Sequence, residues 1–305
     1  MANGTPEPLS QPATVSRRLP ARIPGSLSLV LPAHNEEENI EVVVKRALHV
    51  LPAFADDFEV IVVDDGSRDQ TPLIVDALAE TDHRVKLIHH SRNRGYGGAL
   101  ISGFEAATGD FVMFMDADRQ FDVADIGLLA PFVDRFDIVA GFRMERNDPL
   151  HRRVFAEIFN VTVRVLFGVH LRDIDCAFKI FRGDLLRSIV LTSPGALINT
   201  EIQAKARRHG ATIEQVGVHH YPRVAGEASG GSIRVILRAM RETVALWWRM
   251  HDYKPPSDAP DPRGPHIAGD LLLALLAIAT LGTVVATAGR WRRKKSSLGF
   301  VTVER

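Results

Sequence analysis

Three short polar segments each follow an apolar run, and each could do chemistry. The first is Asp116-Ala117-Asp118, directly after the run at 111–115. Two carboxylates one residue apart at a strand tip can hold a hard divalent cation, Mg²⁺ or Mn²⁺, and leave positions open for water and phosphate oxygens. A cation there would offset the charge of a departing diphosphate. Taken alone, the pair is more readily read as ordinary loop carboxylates. The second segment is Asp64-Asp65-Gly66-Ser67, after the run at 58–63. An Asp at such a tip can bond a ribose hydroxyl or a base N–H. The plainer reading is turn chemistry, with Ser67 or Asp69 capping the helix that begins near Thr71. The third is Pro32-Ala33-His34-Asn35-Glu36-Glu37-Glu38, between the first strand and a helix. Helix-dipole pairing accounts for Glu37 and Glu38. It does not account for three of the first four strands ending in acidic loops, which repel one another unless a metal or a donor-rich ligand joins them.

The elements that position these loops are legible from hydrophobic periodicity. Strands are expected at 27–32, 58–63, 85–88 and 111–115, with a fifth at 137–140. Helices are expected between them, near 38–51, 72–79 and 98–107. This alternation implies a mostly parallel α/β sheet with helices on both faces. Ligands of such sheets sit beyond the carboxyl ends of the strands, where the polar loops fall. Further helices are expected at 152–167, 183–190 and 201–209.

Residues 233–251 place Ile233, Ile236, Leu237, Met240, Val244 and Trp247 at helical spacing, and Arg234, Arg238, Arg241 and Arg249 largely off that stripe. The pattern suits a helix lying in a membrane interface, or one packed on the protein's own core. A Pro- and Asp-rich linker follows. Residues 271–289 then run without a charge, long enough to cross about 30 Å of hydrocarbon. The expected organisation is a disordered tail (1–25), a catalytic domain (26–230), an amphipathic juxtamembrane helix (231–252), a linker (253–267), a transmembrane segment (268–290) and a basic tail (291–305).

Lys plus Arg and Asp plus Glu balance at 37 each over 305 residues, so the whole molecule has no nucleic-acid footprint. The single cysteine, Cys176, excludes a disulfide within the chain and points to a reducing compartment. No secretory signal peptide is read at the N-terminus. No G-x-G-x-x-G follows the first strand, which disfavours a dinucleotide-binding dehydrogenase. The run at 95–98, Gly-Tyr-Gly-Gly, reads as a loop near a diphosphate or a packed turn.

Jointly, "LVLPAHNEEENI", "VIVVDDGSRDQT", "NRGYGGALISGFEAATGDFVMFMDADRQ" and "RDIDCAFKIFR" resemble family 2 glycosyltransferases of the GT-A fold. More narrowly they resemble the polyprenyl-phosphate (dolichyl-phosphate-type) sugar synthases, over roughly residues 26–249. The resemblance implies inverting transfer of a hexose from a nucleotide-sugar to a polyprenyl phosphate. It implies that Pro32, His34, Asn35, Glu36, Asp64 and Asp65 lie at the nucleoside. Asp116 and Asp118, with Ala117 between them, would bind metal and diphosphate, and Gln120 would sit near sugar and metal. Arg143, Arg152 and Arg153 would receive the lipid phosphate, and Arg223 would close over the diphosphate. Asp175 precedes the family's Phe-Lys pair, here Phe178-Lys179. Three positions depart from the family: His34 stands where an aromatic is usual, Arg119 where a small or apolar residue is usual, and Ala156 where a Ser is found.

A phosphate acceptor is already anionic, so positioning and charge neutralisation would suffice, with Arg suited to bidentate phosphate binding. UDP-sugars are favoured over GDP-mannose. The alternatives are transfer to a hydroxyl of a polysaccharide or another lipid, and a non-catalytic membrane scaffold. Cytosolic nucleotide-sugars place the catalytic domain at the cytoplasmic face of the membrane. A single span would then put the basic run 290–295 on the far side, against the positive-inside tendency. Ala274, Ala277, Ala279, Gly282 and Ala286 would allow close packing with a second copy or a small membrane partner.

Overall fold

The computed structural model describes residues 21–144, 150–223 and 233–255. The chain begins as a run of crossover units. Strand β1 (Ser26–Ala33) is buried on both faces from its second residue on, as its nearly continuous apolar sequence requires. It leads through helix α1 (Ile40–Val50) to β2 (Asp57–Asp64), through α2 (Thr71–Thr81) to β3 (Val85–His89), and through α3 (Tyr96–Ala106) to β4 (Phe111–Met115). These four strands are parallel, in the order β3-β2-β1-β4. In that register Ala33 lies beside Asp64, and Asp64 beside His89, so the tips of β1, β2 and β3 are level.

The second half makes the sheet mixed. A short helix α4 (Ile126–Leu129) precedes β5 (Ile138–Arg143) and the long helix α5 (Leu150–Phe167). Then come β6 (Phe178–Arg182), α6 (Gly183–Ser188), α7 (Ile198–Arg208), β7 (Ile213–Val218) and α8 (Ile233–Asp252). The seven-stranded order is β3-β2-β1-β4-β6-β5-β7, with β6 antiparallel to both neighbours and β7 parallel to β5. The sheet is thus mostly parallel α/β, as expected. The correction is two further strands, β6 and β7. In β6, "FKIFR" hides a Lys at a fully buried position, which breaks the apolar run a central strand normally shows. In β7, "IEQVGV" is half-buried at a sheet edge, so its pattern is weak.

One aromatic cluster joins the two halves. Phe114 of β4 stacks on Phe181 of β6 at 6.0 Å, and Phe104 of α3 meets both edge-on at 5.9 and 6.2 Å. Helix α3 can approach this closely because residue 103 is Gly. A Cβ there would lie 2.3 Å from Val30 Cγ1.

Helix α8 forms where the amphipathic pattern placed it. Within its last twelve residues Thr243, Leu246 and Met250 are buried, and its helix neighbour is α7. Val244 and Trp247, two members of the predicted stripe, are only half-buried, so the docked face is rotated from the one read in sequence. Trp248 is left 61% exposed beside exposed Arg241 and Arg249. Among the described residues no helix is long and apolar enough to cross a membrane. The predicted span at 268–290 lies outside them, as do the tails at 1–20 and 291–305.

Candidate functional site

The acidic loops after β1 and β2 are laced together. Asn35, in the left-handed conformation (φ 56°), donates its backbone N–H to Ser67 Oγ at 2.8 Å and accepts the Arg68 N–H on its Oδ1 at 2.9 Å. Asn tolerates this conformation better than most residues. The Glu36 N–H bonds Thr71 Oγ1 and the Glu37 N–H bonds Asp69 Oδ2. Asp69 Oδ1 accepts the Thr71 N–H at the start of α2 and Ser67 is spent on Asn35, while the N-cap position of the helix is Gln70, which makes no side-chain cap bond.

Asp64 and Asp65 turn inward. Asp64 is fully buried, accepting the Ser67 N–H at 3.1 Å and His89 Nδ1–H at 2.5 Å. Asp65 accepts His90 Nδ1–H at 2.8 Å, the Arg94 N–H at 2.7 Å and the Gly95 N–H at 2.8 Å. His90 in turn reaches Ser102 Oγ at 2.9 Å. These carboxylates therefore build the walls of the site. The Asp65 backbone carbonyl faces His34 and accepts its Nδ1–H at 2.9 Å. The walls enclose a cavity of about 470 Å³ at the tips of β1, β2 and β3, lined among others by His34, Asn35, Arg68, His89 and Arg92. The exposed guanidinium-bearing residues Arg68 and Arg92, with His89, were not singled out by the sequence reading. Their signal was their place, immediately after a strand tip or its turn.

The acidic loop after β4 is the most perturbed. Asp116 Oδ1 is buried and has no hydrogen-bond partner. Burial pushes the Asp116 carboxyl up to about 7, and the charge of Asp118 adds to the effect, against relief from Tyr96, Arg223 and Lys179. Asp118 is 3% exposed. Its Oδ1 accepts the Gln120 N–H at 3.0 Å, which a left-handed Arg119 (φ 63°) makes possible, and its Oδ2 pairs with Arg223 Nη2 at 2.5 Å. Glu36 faces the same group: burial, with a contribution from Asp118, raises its carboxyl too. The structure thus brings Glu36, Asp116, Asp118 and Arg223 together. Ala117 and Pro32 are buried beneath them.

The strap that carries Arg223 is fixed to the segment that follows β4. Asp125 accepts both the His219 N–H (2.7 Å) and its Nδ1–H (3.0 Å). Tyr221 donates its N–H to the Gln120 carbonyl at 2.8 Å, and Gln120 Nε2 donates to the Tyr221 carbonyl at 3.3 Å. Gln120 is in this way a clasp between loop and strap.

Arg143 sits differently from its expected place among phosphate ligands. Its guanidinium is bidentate to Asp173, Nε to Oδ2 at 2.6 Å and Nη2 to Oδ1 at 2.8 Å, and both side chains are largely buried. Close by, Lys179 is fully buried and donates to the carbonyls of Ile174 and Cys176. Burial lowers that ammonium and raises the Cys176 thiol to about 12. Asp173 and Lys179 were missed as a structural pair of clamps. Arg152 and Arg153 lie on α5, and their side chains are outside the described residues.

A family model described as glycosyl transferase family 2 matches residues 28–190, more than half of the chain. The chain belongs to glycosyl transferase family 2. Among curated relatives, this family 2 chain is 32% identical over 265 residues to Glycosyltransferase AglD of Haloferax volcanii, an alignment covering 84% of the chain and 41% of AglD. It is 30% identical over 212 residues to undecaprenyl-phosphate 4-deoxy-4-formamido-L-arabinose transferase of Shewanella sediminis, covering 69% of the chain and 63% of that protein. The chain therefore spans less than two thirds of the length of either relative. Among solved structures, glucosyl-3-phosphoglycerate synthase from Mycobacterium tuberculosis, in complex with Mn²⁺, UDP and glucosyl-3-phosphoglycerate, shares the fold. The TM-score is 0.57 at 23% identity, over 76% of this chain and 82% of that one.

Proposed function

We propose that this family 2 glycosyltransferase moves a sugar from a nucleoside-diphosphate sugar to a polyprenyl phosphate, with a divalent metal at Asp116 and Asp118. The observation that carries the metal is the orphaned Asp116 Oδ1, a buried carboxylate oxygen two residues from the buried Asp118. Leaving such an oxygen unpaired costs about 1–3 kcal/mol or more, and a cation removes the cost. Among the described residues no three His, Cys, Asp or Glu form a cage by themselves. That fits an ion held by two acids and completed by phosphate oxygens, the usual manner of Mg²⁺ at nucleotides. The glucosyl-3-phosphoglycerate synthase, a fold relative crystallised with Mn²⁺ and UDP, and the name of the Shewanella sediminis relative support the donor, metal and acceptor classes.

The metal would supply charge neutralisation at the leaving diphosphate. The remaining work falls to residues of this chain. The cavity at His34, Asn35, Arg68, His89 and Arg92 receives the nucleoside, its walls set by Asp64 and Asp65. The exposed Arg68 and Arg92 offer donors to acceptor oxygens of the base or phosphates, and the fold relative crystallised with UDP supports a UDP-sugar over GDP-mannose. Arg223 reaches the diphosphate from the strap. Arg152 and Arg153 align the lipid phosphate, while Arg143 acts through Asp173. The acceptor is already an anion, so displacement at the anomeric carbon needs no strong base, and in-line attack inverts that centre. Trp248, Arg241 and Arg249 on α8, and the charge-free run at 271–289, tether the domain to the cytoplasmic face of a membrane.

The test is transfer from radiolabelled UDP- and GDP-sugars to a polyprenyl phosphate in detergent, with Mn²⁺, with Mg²⁺ or with EDTA. The expected result is a mild-acid-labile lipid product formed only with metal. Metal-dependent nucleotide binding with no lipid product from any donor would overturn the acceptor assignment and point to a hydroxyl acceptor.

A further inference from the structure

The strand order puts β3 at one edge of the sheet and β7 at the other. The nucleotide cavity lies at the β1 to β3 tips. A second cavity, of about 250 Å³, lies at the β7 edge, between the end of α7, the start of β7 and the turn at 168–171 that follows α5. From β2 to β7 is five strand spacings, or ~24 Å, so the two cavities are separate.

Part of its polar lining is spent on holding the cavity open. Gln215 Oε1 accepts the Arg172 N–H at 2.7 Å and Gln215 Nε2 donates to the His170 carbonyl at 3.2 Å, which pins the turn to β7. His170 Nδ1–H donates to the Gly168 carbonyl at 2.8 Å. Gln203 and Arg207, one turn apart on one face of α7, are unspent. Gln203 is fully buried, yet neither its Nε2 nor its Oε1 has a hydrogen-bond partner. Arg207 is half-buried, and its side chain makes no hydrogen bond or ion pair among the described residues. Its guanidinium lies against Gly168, a left-handed residue (φ +65°) where a Cβ would come 3.0 Å from Arg207 Cζ. No carboxylate lines the cavity, and the neighbouring Glu214 alternates to the other face of β7 from Ile213 and Gln215.

A buried amide with both polar atoms unmatched is rare enough to require a cause. The two side chains together specify one. A guanidinium without a counter-ion calls for an anion, and its planar donors fit an oxyanion. Gln203 Nε2 calls for an acceptor oxygen, and Gln203 Oε1 calls for a donor hydrogen. Carboxylate and sulfate offer acceptors alone. Hydrogen phosphate offers both, and a small phosphate ester adds the donors of its own hydroxyls. We propose that this cavity is a second anion site, which binds a hydrogen-phosphate group, free or as the end of a small phosphate ester, between the half-buried Arg207 at its mouth and the fully buried Gln203 at its floor. The site goes beyond sugar transfer and requires neither the metal nor the lipid acceptor.

The experiment is calorimetric titration of the full chain, in detergent and EDTA, with inorganic phosphate, glycerol phosphate and sulfate. The proteins are wild type, Arg207→Met, Gln203→Met and Arg92→Met, the last removing a guanidinium from the nucleotide cavity instead. Wild type is expected to bind phosphate about tenfold more tightly than sulfate. Arg207→Met should weaken phosphate by about tenfold or more, and Gln203→Met should bring phosphate and sulfate close together. Arg92→Met should bind phosphate as wild type does. The tighter of inorganic phosphate and glycerol phosphate tells the free ion from the ester. Without phosphate, Gln203→Met should melt no lower than wild type, because Met fills the same space and leaves no orphaned amide. Phosphate bound equally by wild type and Arg207→Met, or not bound by wild type at about 10 mM, overturns the site. An undiminished preference for phosphate over sulfate in Gln203→Met overturns the part given to the amide.

Discussion

Asp116→Asn should make the metal-free protein more stable, and increasingly so as pH rises. The carboxyl moves from an ordinary value of 3.8 to about 7 on folding. The folded state therefore holds this proton more tightly than the unfolded chain. Its stabilising effect is complete below about pH 4 and is lost as pH climbs through 7. About three units at ~1.4 kcal/mol each set a ceiling of ~4 kcal/mol. The residue as a whole keeps partial access to water although Oδ1 does not, so about half of that ceiling, ~2 kcal/mol, is expected. Asn has nearly the same shape and no charge to bury. For a domain of this size the gain corresponds to a rise of roughly 4–8 °C in Tm near pH 8, and less near pH 5. Thermal unfolding of both proteins in EDTA at the two pH values measures it. Adding Mn²⁺ near pH 8 should raise the Tm of wild type and leave that of Asp116→Asn nearly unmoved. A variant with the same Tm as wild type at both pH values, or one destabilised near pH 8, would refute the argument that this acid is held under strain for a cation.

Other outcomes follow from the same geometry. Arg143→Met removes a bidentate, largely buried partner of Asp173 and should cost about 1.5–3 kcal/mol in unfolding experiments; an unchanged Tm with a raised KM for lipid phosphate would instead return Arg143 to the acceptor site. Gly66→Ala forces a left-handed residue (φ +69°) whose Cβ would sit 2.7 Å from the Arg92 and Asn93 backbone, and should cost about 2 kcal/mol or more and weaken nucleotide binding measured by calorimetry. Trp248→Ser removes a 61% exposed indole beside Arg241 and Arg249, and should lower binding to anionic vesicles severalfold in flotation assays, with Tm little changed.

Much of the first half was legible because its signals are local. Each of β1 to β4 is a short apolar run ended by polar residues, and the loops carry their own turn chemistry, so the meeting of three acidic loops at one sheet edge could be read before any coordinates. The second half resisted, since β6 hides Lys179 inside the sheet and α7 is a polar helix buried from Ile198 to Ala206. The partners that make the burial tolerable are local: the Ile174 and Cys176 carbonyls for Lys179 and, for Glu201, both Lys205 and the loop at 192–193. The burial itself is imposed from elsewhere in the chain, as by β4 and β5 on either side of β6, and so is not written in the segments themselves.

The site divides in the same way. The sequence by itself determined which residues carry charge and at which strand ends they stand. Tertiary structure decided what each charge is for. Asp65 faces inward because His90 and two backbone N–H groups, from later in the chain, consume its oxygens. Asp116, equally acidic in sequence, keeps one oxygen unpaired beside Asp118, where the Arg223 guanidinium pairs with its neighbour. Hydrogen-bond satisfaction in a buried site is a sum over every donor that reaches it, and those donors come from positions up to 105 residues apart.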